Sequence, residues 1–373
     1  MTQVRVLADE LNRALRELVK VAPARVPLPV CQNVLLERDG ALLKITATDL
    51  EQALAITLGA QAEDGDFALT VPARLLADAV RPLREGIVTL TQTAPDKLTL
   101  ECGSMKLTLA GTKADEFPPI PACDGAAVKV AAQPLRDMLK RVAFCAASEC
   151  TRPVLTGIKC ETREQQLVTA AADAFRLAVD AVQLAEPPAA DINVIVPART
   201  LKTLSGLLGR SSATVEWRIS QQGTQAHFAW DGITLTTQLV MGTFPAYEKL
   251  IPPAGTARIG FDCEAMKRTL EAAAPFAKEG SGIVRLMWQD GALVVGARAE
   301  ETGEFRHPVA AMLEGDPQAK VAFNSLFLND LFRWGMPDGP CVLEVSGPSS
   351  PGLFWCPETP AYRHVIMPMF VQW

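Results

Sequence analysis

One phrase recurs at a fixed interval along the chain. VPARLLADAV begins at Val71, VPARTLKTLS at Val196 and a third version, VAFNSLFLND, at Val321, each 125 residues after the last. A repeat at one third of 373 residues marks a unit built three times, so the chain must fold as similar modules in tandem. Other segments keep the interval. Thr48-Asp49 in TATDLEQALAI returns 124 residues later as Ala172-Asp173 in TAAADAFRLAV, each at the end of a strand-like run. The opening helix of each third is legible too: LADELNRALRELVK from Leu7, AAQPLRDMLKRVAF from Ala131 and FDCEAMKRTLEAAAPF from Phe261. Leu11, Leu15 and Leu18 share a face, as do Leu135, Leu139 and Val142, and Met266 and Leu270, which is the spacing of a helix packed on one side.

Between the helices lie runs that alternate apolar and polar residues, such as NVLLERDGALLKITATD and GIVTLTQTAPDKLTLECGSMKLTLAG. Turn residues punctuate them at Asp39-Gly40, Asp96-Lys97, Gln222-Gly223, Asp231-Gly232 and Asp290-Gly291, the pattern of antiparallel meanders buried on one face. Each third therefore reads as two helices and about eight strands, in the order strand, helix, three strands, given twice. The fold class is α+β. Proline-rich joints at 118–127 and 251–260 place the module boundaries, giving 1–124, 125–253 and 254–373.

Catalytic signatures are missing from the sequence: it contains no GxxxxGK[ST], GxGxxG after a strand, GxSxG or HExxH. Acidic residues at Asp9-Glu10, Glu279 and Glu300-Glu301 sit in amphipathic or loop stretches where solvated charge is the ordinary reading. Nine cysteines without a CxxC pair, and only three histidines, argue for buried thiols over a metal centre, so neither a metal nor another cofactor is expected. The Cys145–Cys150 spacing has no histidine near it. No apolar run approaches the roughly 18 residues of a membrane span, and the N-terminus has a helix pattern in place of a leader, so a cytoplasmic protein is expected.

The net charge of −6 speaks against a nucleic-acid partner, but its distribution does not. The six expected helices together carry +7 and the remainder −13. If the helices share one surface, it is basic and the sheets opposite are acidic, which suits nonspecific phosphate contact. The candidate contacts are Arg13, Arg16, Lys20, Arg25, Arg74, Arg81, Arg84, Arg136, Lys140, Arg141, Arg199, Lys202, Arg210, Lys267 and Arg268. The competing reading is ordinary solvated helix charge. Nothing in the sequence reads bases, since it has no zinc-finger spacing, helix-turn-helix pattern or aromatic RNP strand.

Taken in order, TATDLE at 46–51, VPAR at 71 and 196, DEFPPIP at 115–121, TRPVLTGI at 151–158, DAFRLA at 173–178, GTFPAYEKLIP at 242–252, Phe323-Asn324 and VIMPM at 365–369 resemble the signatures of the bacterial DNA polymerase III β subunit family, the sliding clamps. The resemblance implies three tandem clamp domains and a head-to-tail homodimeric ring around duplex DNA, with helices lining the hole and no chemistry required. Leu107 on an edge strand and Phe276 after the third module's first helix are the candidates for the apolar centre of the dimer interface. The resemblance also implies a pocket for short hydrophobic peptides from the replicative polymerase, the clamp loader, other polymerases and repair proteins. It would comprise Arg152, Leu155, Ala172, Ala174, Phe175, Arg176, Leu177, Pro245, Lys249, Leu250, Asn324, Phe327, Val365, Ile366, Met367, Pro368 and Met369. Three departures stand out. Ala174-Phe175 replace the family's usual glycine and polar residue, Lys249 replaces arginine, and Phe370-Val371-Gln372-Trp373 continue past the family's usual end, where they are expected to border the pocket. The alternative is a clamp-fold scaffold that binds proteins without encircling DNA, and it predicts no dependence on DNA topology.

Overall fold

The computed structural model describes residues 2–23, 28–62, 65–83, 85–149 and 151–373, so Arg25, Arg84 and Cys150 lie outside the described residues. Each third follows the expected order. The helices are α1 (Ala8–Val21), α2 (Ala73–Val80), α3 (Ala132–Ala143), α4 (Ala198–Leu208), α5 (Cys263–Glu279) and α6 (Ser325–Asp330). α1 buries Leu11, Leu15 and Leu18, and α5 buries Met266 and Leu270, as their spacing requires. Two ends differ from expectation. α2 stops at Val80, because Arg81-Pro82 follows and a proline has no N–H to continue the ladder. α6 is short and widens into a π-type turn, Leu331–Gly335, whose glycine lies so close to Tyr362 that a Cβ there would meet the phenol oxygen.

All strand pairs are antiparallel among the described residues, and they fall into two compact units. One unit, 1–132 with 211–239, holds a five-stranded and a nine-stranded sheet. In the larger sheet Gln52–Gly59 of the first third pairs with Ile233–Gln238 of the second, so the repeats share one sheet. At its hairpin, Asp231 and Gly232 both take positive φ (42° and 73°), the geometry of a two-residue turn matched to strand twist. Met105–Ala110, which carries Leu107, is an edge strand of the five-stranded sheet.

The other unit, 133–210 with 240–373, repeats the scheme with a nine-stranded and a four-stranded sheet. Its large sheet joins Arg176–Gln183 of the second third to Thr359–Ile366 of the third, with Arg176 opposite Ile366 and Leu177 opposite Val365. Phe276 lies inside α5 rather than after it, with its ring 6.0 Å from that of Phe305. Pro275 is accommodated within it. Six of the eight described cysteines are buried.

Candidate functional site

The segment Asp173–Arg176 turns the chain between two strands. Asp173 makes the turn: its Oδ1 accepts the N–H groups of Phe175 (2.8 Å) and Arg176 (2.9 Å). The turn leaves Ala174 and Phe175 outside and draws Arg176 inward, where its guanidinium reaches across the second and third thirds. Nε donates to Asp173 Oδ2 (2.9 Å), Nη1 to Asp330 Oδ2 on α6 (2.7 Å) and Nη2 to the Phe144 carbonyl beyond α3 (3.1 Å). Burial works against this charge, and the two carboxylates more than offset it, holding the Arg176 pKa above its ordinary value.

Aromatic rings extend the arrangement in both directions. Phe175 stacks on Phe327 at 6.1 Å, Phe327 covers the Arg176 guanidinium at 4.7 Å, and the Phe144 ring lies 5.6 Å from that guanidinium. Phe144 in turn stacks on His364 at 5.6 Å, which neighbours Tyr362. The column runs from a 57% exposed ring to fully buried ones. Burial pushes the His364 pKa down to about 3, so the imidazole is neutral.

Beside this column the terminal strand supplies an apolar wall. Leu155, Ala172, Leu177 and Val365 are buried with Phe244, Tyr247 and Leu353 in one cluster, and Ile366 is also buried. Past the strand, Met367 N–H donates to the Phe175 carbonyl (2.8 Å) and Met369 N–H to that of Ala322 (2.7 Å), which fixes 367–369 between the Asp173 turn and the strand Lys320–Asn324. Asn324 caps α6 by accepting the Leu326 N–H at 2.9 Å, which sets the helix that carries Phe327. Lys249 and Leu250 lie on the short turn Tyr247–Leu250. Tyr247 donates to Glu161 (2.7 Å) and accepts from Arg163 (3.0 Å), and Arg163 also pairs with Glu248, whose pKa is lowered by that bond.

The expected pocket residues therefore divide by depth. Leu155, Ala172, Leu177, Val365 and Ile366 form the base, Arg176, Asn324, Phe327, Pro368 and Met369 are partly covered, and Arg152, Ala174, Phe175, Pro245, Lys249, Leu250 and Met367 are exposed. Arg152 joins through its backbone, its carbonyl accepting from the Leu155 N–H. Sequence reasoning missed Phe144, Asp330, Tyr247 and Arg163. The i, i+3 spacing of Asp173 and Arg176 was a usable signal; the other partners come from distant segments and left none.

The helix cations also divide. Arg13, Arg16, Lys20, Arg74, Arg81, Lys140, Arg199, Lys202, Arg210 and Arg268 are exposed, and Lys267 is partly so. Arg13, Lys20, Arg81 and Arg268 pair with acids one turn away, which in water costs little to break. Two depart from the expectation of free phosphate contacts. Arg141 is held by the buried Asp180 at 2.7 Å, and Arg136 by Asp137 and the Gly209 carbonyl, so both are tied into the fold.

A thrice-repeated α+β chain with a partly exposed apolar surface and basic helices has the build of a replication accessory protein. The family model for the DNA polymerase III beta subunit, N-terminal domain, matches residues 2–121, and that for the central domain matches 129–246. The beta sliding clamp of Streptomyces coelicolor is 31% identical over 337 residues, covering 88% of this chain and 87% of its own. That of Caulobacter vibrioides is 28% identical over 370 residues, covering 97% and 98%. A crystal structure of the Pseudomonas aeruginosa sliding clamp bound to griselimycin superposes with a TM-score of 0.92 at 26% identity, covering 99% of this chain and 100% of that one. The chain belongs to the bacterial beta sliding clamp family and is a non-catalytic processivity factor of DNA replication.

Proposed function

We propose that two copies of this chain close head to tail into a ring that encircles duplex DNA and tethers polymerases to it. The domains are 1–124, 125–253 and 254–373, and the interface joins the edge strand of Leu107 to the region of Phe276. Three modules span half of such a ring, and two-fold symmetry completes it. The exposed cations of α1–α5 face the duplex and meet phosphates without reading bases. The ring needs no tight DNA contact, because topology retains it. Its place of action is the cytoplasm.

We infer further that the surface formed by Phe175, Phe327, Met367 and Leu250 captures short hydrophobic peptides of the replicative polymerase, the clamp loader and repair proteins. The observation that carries this reading is the exposure of Phe175, Met367 and Leu250: an apolar surface held by a hydrogen-bonded frame marks a binding site. Methionine on its wall lets one pocket repack around different ligands. One experiment tests encirclement. Protein loaded on nicked circular DNA should stay bound and then run off when the circle is cut; release that ignores the cut favours the scaffold reading.

A further inference from the structure

The last four residues are held at both ends. Just before them, Met369 N–H is bonded to the Ala322 carbonyl on the edge strand Lys320–Asn324; at their far end, the Trp373 ring sits 5.2 Å from Lys320 Nζ on the same strand. Yet Phe370, between these two pins, is 84% exposed, the highest value for any large apolar side chain among the described residues. A frayed terminus has no such pins, and a ring meant for the core would be turned inward. The tail is tied to the strand at both of its ends, and the ring between them is presented to solvent.

Its position follows from chain length. Three residues separate Phe370 from Met367, whose N–H is bonded to the Phe175 carbonyl, so their Cα atoms are at most about 11 Å apart. On the other side, Ala322 is two residues from Asn324, about 7 Å along an extended strand. Phe370 thus follows directly on Met369, the last residue of the wall segment 365–369, at the start of the stretch that runs from Ala322 toward Lys320.

We propose that Phe370 is a specificity-determining residue of the peptide site, selecting partner peptides that carry an extra aromatic side chain outside the core hydrophobic motif. The proposal rests on the peptide-capture reading above. Trp373 and Lys320 are positioning residues: their ring-cation contact holds the tail along the edge strand and so sets where Phe370 points.

Three peptides carrying fluorescein on an N-terminal aminohexanoyl spacer test it by anisotropy on the full chain: Ser-Leu-Leu-Phe-Ser-amide, and the same peptide extended by Ser-Trp at its C-terminus or Trp-Ser at its N-terminus. The quantity read is the ratio of extended to parent affinity within each protein. One extended peptide should bind the unaltered protein about tenfold more tightly than the parent, and Phe370→Ala should reduce that ratio below twofold. Lys320→Ala should lower the ratio at least threefold while Lys320→Arg, which keeps a cation under the ring, preserves it. If the parent binds but neither extension gains, or if the ratio survives Phe370→Ala, this inference fails and peptide capture stands. If Phe370→Ala instead tightens the parent, the tail is a cover and the inference is overturned. A parent peptide that does not bind at all overturns both readings.

Discussion

The turns at Asp49 and Asp173 occupy equivalent places in the first and second repeats and are built alike. Asp49 Oδ1 accepts the N–H groups of Glu51 (3.1 Å) and Gln52 (2.8 Å), as Asp173 Oδ1 accepts those of Phe175 and Arg176. The closing backbone bonds, Asp49 N to Gln52 O and Asp173 N to Arg176 O, are both 3.1 Å. What the brackets hold differs. The first ends in Gln52, whose amide turns back to Asp49 at 3.5 Å, whereas the second ends in Arg176, which reaches Asp330 and two aromatic rings. A repeat can thus keep its scaffold while one position, three residues after the aspartate, decides whether its side chain turns back to that aspartate or reaches a carboxylate on a distant helix.

The largest test of this contrast is Arg176→Ala against Gln52→Ala. Removing Arg176 strands the carboxylates of Asp173 and Asp330, and should cost about 3 kcal/mol in urea denaturation. Gln52→Ala should cost about 1 kcal/mol, because it forfeits little more than a long local bond. Equal losses would show that the two turns do the same job.

Acid should separate them next. His364, stacked on the column that ends in Arg176, has a folded pKa of about 3 against an ordinary value near 6.5. Between those values the unfolded chain binds the extra proton, so its stabilising contribution is whole above pH 6.5 and lost as pH falls toward 3. His227 is shifted in the same direction by burial. Hydrogen exchange should show the Phe175 and Arg176 amides losing protection at pH 5 relative to pH 7 more than those of Glu51 and Gln52, and His364→Phe should flatten the difference.

Asp49→Ala and Asp173→Ala each remove an acceptor from two backbone N–H groups, at about 1 to 2 kcal/mol. The second should sit at the top of that range, since it also unpairs Arg176. The smallest effect on stability belongs to Phe175→Ala, under about 0.5 kcal/mol for a side chain this exposed. Its affinity for a hydrophobic peptide should nevertheless fall about tenfold, or about 1.4 kcal/mol, in the anisotropy assay.

The sequence made the modular plan readable because it repeats at a long interval and because helices and strands bury residues at distinct periods. Helix ends were harder. Pro82 stops α2 at Val80, and α6 gave up regular helix at Asp330 to let Gly335 pack against Tyr362. The segments that build the pocket were found through their resemblance to a family, and their support was not. Phe144 and Asp330 meet Arg176 from 32 and 154 residues away. No local pattern announces such partners. Charge misled for the same reason: Arg141 looks like any cation on a helix face until Asp180, 39 residues on, is found buried against it.

The strand pairing between Gln52–Gly59 and Ile233–Gln238 has a consequence for how the protein can be divided. What was inherited as thirds does not come apart as thirds. A fragment ending at residue 124 would keep Gln52–Gly59 but lose the strand bonded to it, leaving a bare row of backbone donors and acceptors on an eight-residue edge. Such a piece would seek another copy of itself to cover that edge. The cohesion of the chain thus lies across its copies, and a cut at either joint between thirds parts two bonded strands.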